Sequence, residues 1–148
     1  MNYITLQENN FEKARKLIKE NKDKKIIFSS EDDELNRKIL EKEFIEILLL
    51  NQKGRKDFQK QRNSGLNQVL AKLAKKKNII IGINFDELVN SEEKEKSLIL
   101  ARVMQNVRIC NKNKLKMKFI SKENKKNDLD MKSLGLILGM PTWMIKDL

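Results

Sequence analysis

The chain has 148 residues, of which 36% are charged, and its formal net charge is +11. This size predicts one α/β domain over residues 1–148 with a single modest core, and the positive excess favours a polyanionic partner such as nucleic acid. Lysine supplies 26 of the 32 basic residues, and asparagine and isoleucine number 16 each, so an A+T-rich genome accounts for the same composition. Composition alone therefore favours RNA binding without establishing it.

The residue types that the chain lacks exclude several kinds of site. Histidine is absent, which excludes Ser-His-Asp and Cys-His catalysis and histidine-ligated zinc or iron. The single cysteine, Cys110, cannot form an intramolecular disulfide, and we expect it to be a buried small hydrophobe in a reducing compartment. We find neither a signal peptide nor an apolar run of about 20 residues. We therefore expect a cytoplasmic protein with no membrane partner.

Hydrophobic periodicity predicts helices that alternate with four strands. Helical stripes lie at 11–18, 35–40, 66–74, 100–110 and 134–138. The strand candidates are 25–29, 44–50, 79–83 and 115–120. The second and third strands are almost continuously apolar, which is typical of strands covered on both faces, whereas the fourth alternates and is expected near an edge. This order predicts a parallel sheet, and four strands are too few for a complete barrel.

The segment 51–65, after the second predicted strand, carries the most distinctive chemistry. It holds five basic residues and one aromatic, Phe58, at the sheet edge where α/β proteins place their sites. It leads into a helix for which Ser64 is the predicted N-cap, and whose free N–H groups can hold a phosphate. A solvated loop with a glycine turn explains the segment equally well. The RNA-binding candidates here are Arg55, Lys56, Lys60, Arg62, Asn63 and Ser64.

Two predicted helices carry further basic side chains opposite their apolar stripes. Such charges usually form a solvated helix face, so either helix alone is a weak indication. The candidates on these helices are Lys72, Lys75, Lys76, Arg102, Arg108 and Lys112.

Carboxylates follow two of the predicted strands. Asp86 and Glu87 follow the third strand, and Asp128 and Asp130 follow the fourth. Carboxylates at strand ends are ligands for Mg²⁺, but helix or turn caps are the simpler interpretation. We therefore predict no metal ligand, no cofactor-binding residue and no catalytic residue in this chain.

An ordered series of motifs over residues 44–140 resembles ribonuclease P protein component 3. The series is GRKD at 54–57, NSGLNQVLAKLA at 63–74, IIIGI at 79–83, NFDELVN at 84–90, LARVMQNVRIC at 100–110 and DMKSLGLILGM at 130–140. The family usually has a histidine at the position of Gln68, so any role of that ring is absent or met by an amide. Family members are usually longer, with further β-α units ahead of this block.

The resemblance implies a reduced or incomplete TIM-barrel-like fold of the polymerase/histidinol-phosphatase type. It implies an accessory protein that binds the catalytic ribonuclease P RNA and the component 2 protein, and that meets precursor tRNA only indirectly. Removal of the 5′ leader is then carried out by the RNA with Mg²⁺, and the protein binds no cofactor. Two alternatives stay open from the residues alone: a metal-dependent phosphoesterase and a basic protein-interaction module.

Overall fold

The computed structural model describes residues 2–124 and 126–148. Lys125, within the loop predicted at 121–127, lies outside the described residues. The strands are β1 (Tyr3–Gln7), β2 (Lys25–Ser29), β3 (Ile47–Leu50), β4 (Ile80–Asn84) and β5 (Met117–Ile120). The helices are α1 (Phe11–Glu20), α2 (Asp33–Lys42), α3 (Gln68–Lys76), α4 (Phe85–Asn90), α5 (Glu93–Asn113), α6 (Asp128–Ile137) and α7 (Thr142–Ile145).

The strands form one parallel sheet in the order β1-β2-β3-β4-β5. This confirms the predicted parallel α/β fold and the edge position of β5. The sequence prediction missed β1, in which only Leu6 is buried. A five-residue edge strand that alternates apolar and polar side chains gives little hydrophobic signal, and its pairing with β2 is what defines it.

Several predicted boundaries are corrected by local hydrogen bonding and burial. Strand β3, predicted over 44–50, begins at Ile47, where its pairing with Ile27 of β2 starts, and Phe44 is 86% exposed. Ser64 is not the N-cap of α3; Asn67 is, through its side-chain bond to the Leu70 N–H. In α6 the cap is Asn127 rather than either aspartate. The short helices α4 and α7 were not predicted.

The helices cover one face of the sheet. The larger apolar cluster joins strand residues such as Phe28, Leu48 and Ile81 to residues of the helices. The opposite face has a small cluster formed by Ile27, Ile47 and Leu49, with Ile80 and Ile120 beside it. A sheet whose neighbours follow chain order places all its crossovers on one side, as in a barrel. The sheet is open in the described chain, since β1 and β5 each pair with a single strand.

Cys110 lies fully buried on α5, as predicted. Burial raises the pKa of its thiol to about 12, so the side chain packs as an apolar group at neutral pH. Among the described residues, no helix is both long enough and apolar enough to span a membrane.

Candidate nucleic-acid interface

The β3–α3 loop, residues 51–67, is fixed to α5 by Arg102. The Arg102 side chain is 2% exposed. Its Nη1 donates to the Gln52 carbonyl oxygen at 2.8 Å, its Nη2 to the Arg55 carbonyl oxygen at 2.7 Å, and its Nε to Asp57 Oδ1 at 2.9 Å. Each guanidinium nitrogen therefore already has an acceptor. This corrects the prediction that Arg102 faces RNA: its side chain positions the loop.

Arg55 ties the same loop to the start of α2. Its Nη1 and Nη2 donate to the two carboxylate oxygens of Asp33 at 2.9 and 3.0 Å, and its Nε donates to the Asn51 carbonyl oxygen at 2.6 Å. The side chain is 11% exposed. A planar guanidinium suits such two-point recognition of a carboxylate. Arg55 is therefore engaged inside the loop, in contrast to its predicted role at the RNA surface.

Ser64 and Asn63 shape the end of the loop. Ser64 is 2% exposed, and its carbonyl oxygen accepts hydrogen bonds from Gln52 Nε2 at 2.9 Å and Asn106 Nδ2 at 3.2 Å. The Asn63 backbone N–H donates to Asp57 at 3.0 Å. Ser64 is thus buried rather than exposed to RNA, and Asn63 is half-buried.

Asp57 accepts hydrogen bonds from one residue of α5 and two residues of the loop. Besides Arg102 and Asn63, Arg62 donates to it through Nη1 at 3.2 Å. The hydrogen bond from Arg102 lowers the pKa of Asp57, partial burial opposes this shift, and Asn63 and the charge of Arg62 lower it further. Asp57 therefore stays ionised at neutral pH and keeps its hydrogen bonds to Arg102, Arg62 and Asn63. In the sequence, Asp57 is marked only by its place in the GRKD motif, and nothing there predicts that it pairs with Arg102.

The remaining predicted cations divide by what they contact. Lys75 donates to the Lys114 carbonyl oxygen at 3.1 Å and so stabilises the end of α5. Arg62 is 45% exposed although it pairs with Asp57. The other six predicted cations are exposed and have no carboxylate partner among residues 2–124 and 126–148: Lys56, Lys60, Lys72, Lys76, Arg108 and Lys112.

These cations lie on neighbouring elements. Gln105 of α5 accepts a hydrogen bond from the Arg62 N–H and donates to the Arg62 carbonyl oxygen at 2.8 Å. Arg108 and Lys112 follow Gln105 at i+3 and i+7, on the same helix face. Helix α3 lies alongside α5 through a 2.8 Å hydrogen bond from Asn113 to Gln68, and Lys72 follows Gln68 by one turn.

The loop and the two helices are thus neighbouring elements that carry exposed cations, and we call these cations together the basic surface. We define it by its exposed cations: Lys56, Lys60, Arg62, Lys72, Lys76, Arg108 and Lys112.

A polar cavity of about 350 Å³ lies beside the loop at the carboxyl ends of the strands. Asn84 donates to Asn51 at 2.8 Å, and Asn51 donates to the Ser29 hydroxyl at 2.9 Å. Burial raises the pKa of Glu87 at its wall, partly offset by the N–H groups of Gln52 and Lys53. The asparagine and carboxylate side chains at its centre are thus hydrogen-bonded within the chain.

The carboxylates considered for Mg²⁺ do not converge. Asp86 accepts hydrogen bonds from Ser121, the Lys122 N–H and Asn124. In the described ranges no group of three or more aspartate, glutamate, cysteine or histidine residues is arranged to hold a metal ion.

Three curated proteins that are similar to the chain carry the same name. Ribonuclease P protein component 3 of Methanococcus maripaludis strain C7 is 30% identical over 108 residues, which cover 73% of this chain and 44% of that protein. The proteins of the same name from strains C6 and S2 are 30% and 29% identical over the same shares. The chain thus spans less than half the length of these relatives. No family model matches the chain.

One solved structure shares the fold. A chain in the cryo-EM structure of archaeal ribonuclease P with mature tRNA superposes with a TM-score of 0.80 at 23% sequence identity. The superposition covers 96% of this chain and 62% of that chain. The likeness establishes a common TIM-barrel-like α/β architecture.

Proposed function

The chain is a relative of ribonuclease P protein component 3, and from this premise we propose that it is an RNA-binding protein subunit of ribonuclease P. In this role it binds the catalytic RNA of the enzyme and supports removal of the 5′ leader from precursor tRNA. The observation that carries the proposal is the basic surface, because its cations lie on an anchored loop and two adjacent helices, and six of the seven have no carboxylate partner in the described chain.

A fixed loop favours this function. Arg102, Arg55 and Asp57 hold the loop backbone in place, so the backbone that carries the exposed cations needs little further ordering on binding. Each phosphate that such a surface neutralises releases counterions, which makes affinity strongly salt-dependent. The surface suits a folded RNA recognised mainly through its backbone.

The proposal includes the partners and the metal. The catalyst is the ribonuclease P RNA with Mg²⁺, and this chain supplies no catalytic residue and binds no cofactor. Its protein partner is component 2 of the same enzyme, and precursor tRNA is met indirectly, within a cytoplasmic complex. The family resemblance supports the RNA catalyst and the protein partner, and the cytoplasmic location is the expectation drawn from the sequence.

Salt dependence tests the basic surface. Replacing Lys56, Lys60 and Arg62 together with alanine should lower the magnitude of the slope of log affinity against log salt by about 0.7 to 0.9 for each phosphate that the variant no longer neutralises. Affinity for the host's ribonuclease P RNA is measured by filter binding over a salt series. A control variant that replaces Lys19, Lys22 and Lys24, at the opposite rim of the sheet, removes the same charge and should keep most of the slope. Equal reductions of the slope in both variants would contradict a localised surface.

Co-purification tests the identity of the complex. The tagged chain, isolated from its host, should bring down ribonuclease P RNA and other ribonuclease P proteins. Recovery of neither would overturn the proposal. Cleavage of a phosphoester by the purified chain with Mg²⁺ and no RNA would instead support the enzyme alternative.

A further inference from the structure

Phe58 is an exposed aromatic ring in the middle of the basic surface. It is 58% exposed and packs against neither apolar cluster of the described chain. The other exposed or half-buried rings either pack on the core or lie beside a cation, as Phe44 does with Lys77 at 5.9 Å. Among the described residues, Phe58 alone has neither arrangement. A ring left in water forgoes the burial that aromatic side chains usually gain.

The chain on both sides of Phe58 is anchored. Asp57, directly before it, accepts hydrogen bonds from Arg102, Arg62 and Asn63. Arg62 is held at both its N–H and its carbonyl group by Gln105. The four residues between these anchors, 58–61, are all exposed. Phe58 therefore lies in a short exposed segment whose two ends are held by hydrogen bonds.

The charges around the ring indicate what it contacts. Lys56, Lys60 and Arg62 are all exposed and lie within four residues of Phe58. An exposed ring with free cations close to it in the sequence matches a nucleotide, which offers an apolar base face next to an anionic phosphate. Base faces in a duplex are covered by their neighbours, so the matching partner is an unpaired nucleotide.

We propose that Phe58 stacks on an unpaired base of the bound RNA, with Lys56, Lys60 and Arg62 holding the phosphates around that nucleotide. This inference rests on the proposed RNA-binding function and adds the class of RNA element that the loop recognises. Stacking is tolerant of base identity, because every base has a π face.

Binding to a short single-stranded RNA that carries one 2-aminopurine, and to a duplex of the same sequence, tests the stack. Phe58→Ala should weaken binding to the single strand by about 5- to 150-fold and change binding to the duplex less than about twofold. Wild-type protein should quench the 2-aminopurine fluorescence and the variant should not. The salt slope should stay the same, because no charge is removed.

Three further variants make the result specific. Phe58→Trp should retain tight binding, whereas Phe58→Leu, which keeps an apolar side chain but no ring, should bind nearly as weakly as alanine. Phe44→Ala removes a still more exposed ring at the opposite rim of the sheet and should bind like wild type. Circular dichroism should show the same folded spectrum for all of them.

The outcomes separate the two proposals. If the wild-type chain binds the single strand and Phe58→Ala or Phe58→Leu binds equally well, the stack is overturned while RNA binding stands. If the wild-type chain binds neither RNA at physiological salt, the proposed function itself fails.

Discussion

Arg102 and Arg62 contact the same carboxylate, but only one of them is available to a ligand. The side chain of Arg102 is 2% exposed and that of Arg62 is 45% exposed. Arg102 uses its planar group to join two backbone carbonyl oxygens and Asp57, which the single ammonium of a lysine cannot do. Its charge therefore serves the loop that carries the basic surface.

Arg102→Lys tests this role at the residue scale. The substitution keeps the charge but leaves at least one buried carbonyl oxygen unpaired, so the free energy of unfolding should fall by about 2 to 4 kcal/mol. Urea denaturation measures the change. Arg108→Lys, an exposed change on the same helix, should stay within about 0.5 kcal/mol of wild type. A similar small effect at Arg102 would contradict the anchoring role.

At the scale of elements, Asp86 of α4 fixes the loop that follows β5. It lies in the first turn of α4, and its carboxylate accepts hydrogen bonds from residues 121–124 after β5. Partial burial alone would raise the pKa of Asp86, but bonds from the Lys122 N–H, the Ser121 hydroxyl and Asn124 lower it to about 2. The next residue, Glu87, has its pKa raised by burial. Adjacent carboxylates thus differ because their surroundings differ.

The low pKa of Asp86 predicts a pH-dependent contribution to stability. Because this pKa is lower in the folded chain than in the unfolded one, the stabilisation is complete above about pH 4 and is lost as the pH falls towards about 2. At neutral pH Asp86→Asn should lower the free energy of unfolding by about 1 to 2 kcal/mol. Urea unfolding of both proteins over a pH series should show the difference shrinking below pH 4. A difference that does not change with pH would contradict it, and Asp23→Asn is the exposed control.

At the scale of the whole molecule, the sheet is most buried at its centre. Each residue of β3 is buried, whereas β1 has one buried residue. Helices on one face of the sheet complete the main core around β3. The middle strand therefore carries more of the stability than the edge strand.

Truncation in the two strands tests this gradient. Leu48→Ala removes a fully buried side chain of β3 and should cost about 2 to 5 kcal/mol. Ile4→Ala, in the half-buried edge strand β1, should cost clearly less, because the site is open to water and leaves a smaller cavity. Chemical denaturation of each variant gives the two values. Equal costs would show that the edge strand is as well packed as the centre.

The sequence by itself determined the alternating α/β order, the parallel sheet and the edge position of β5, because hydrophobic periodicity reports local burial. The loop after β3 and all seven cations of the basic surface are also among the features predicted from the sequence, since solvated lysines need no partner to be recognised. It missed β1 and α4, which are short elements whose identity depends on pairing or packing with the rest of the chain.

Only the tertiary structure decided which basic residues are free. Arg102 and Arg108 look alike in the pattern of α5, yet the carbonyl oxygens that bury Arg102 lie 50 and 47 residues away in the chain. A charged side chain is buried where acceptors converge on it, and that convergence is a property of the folded loop. Exposure of Phe58 is decided in the same way, by the anchoring of the segments on either side of it.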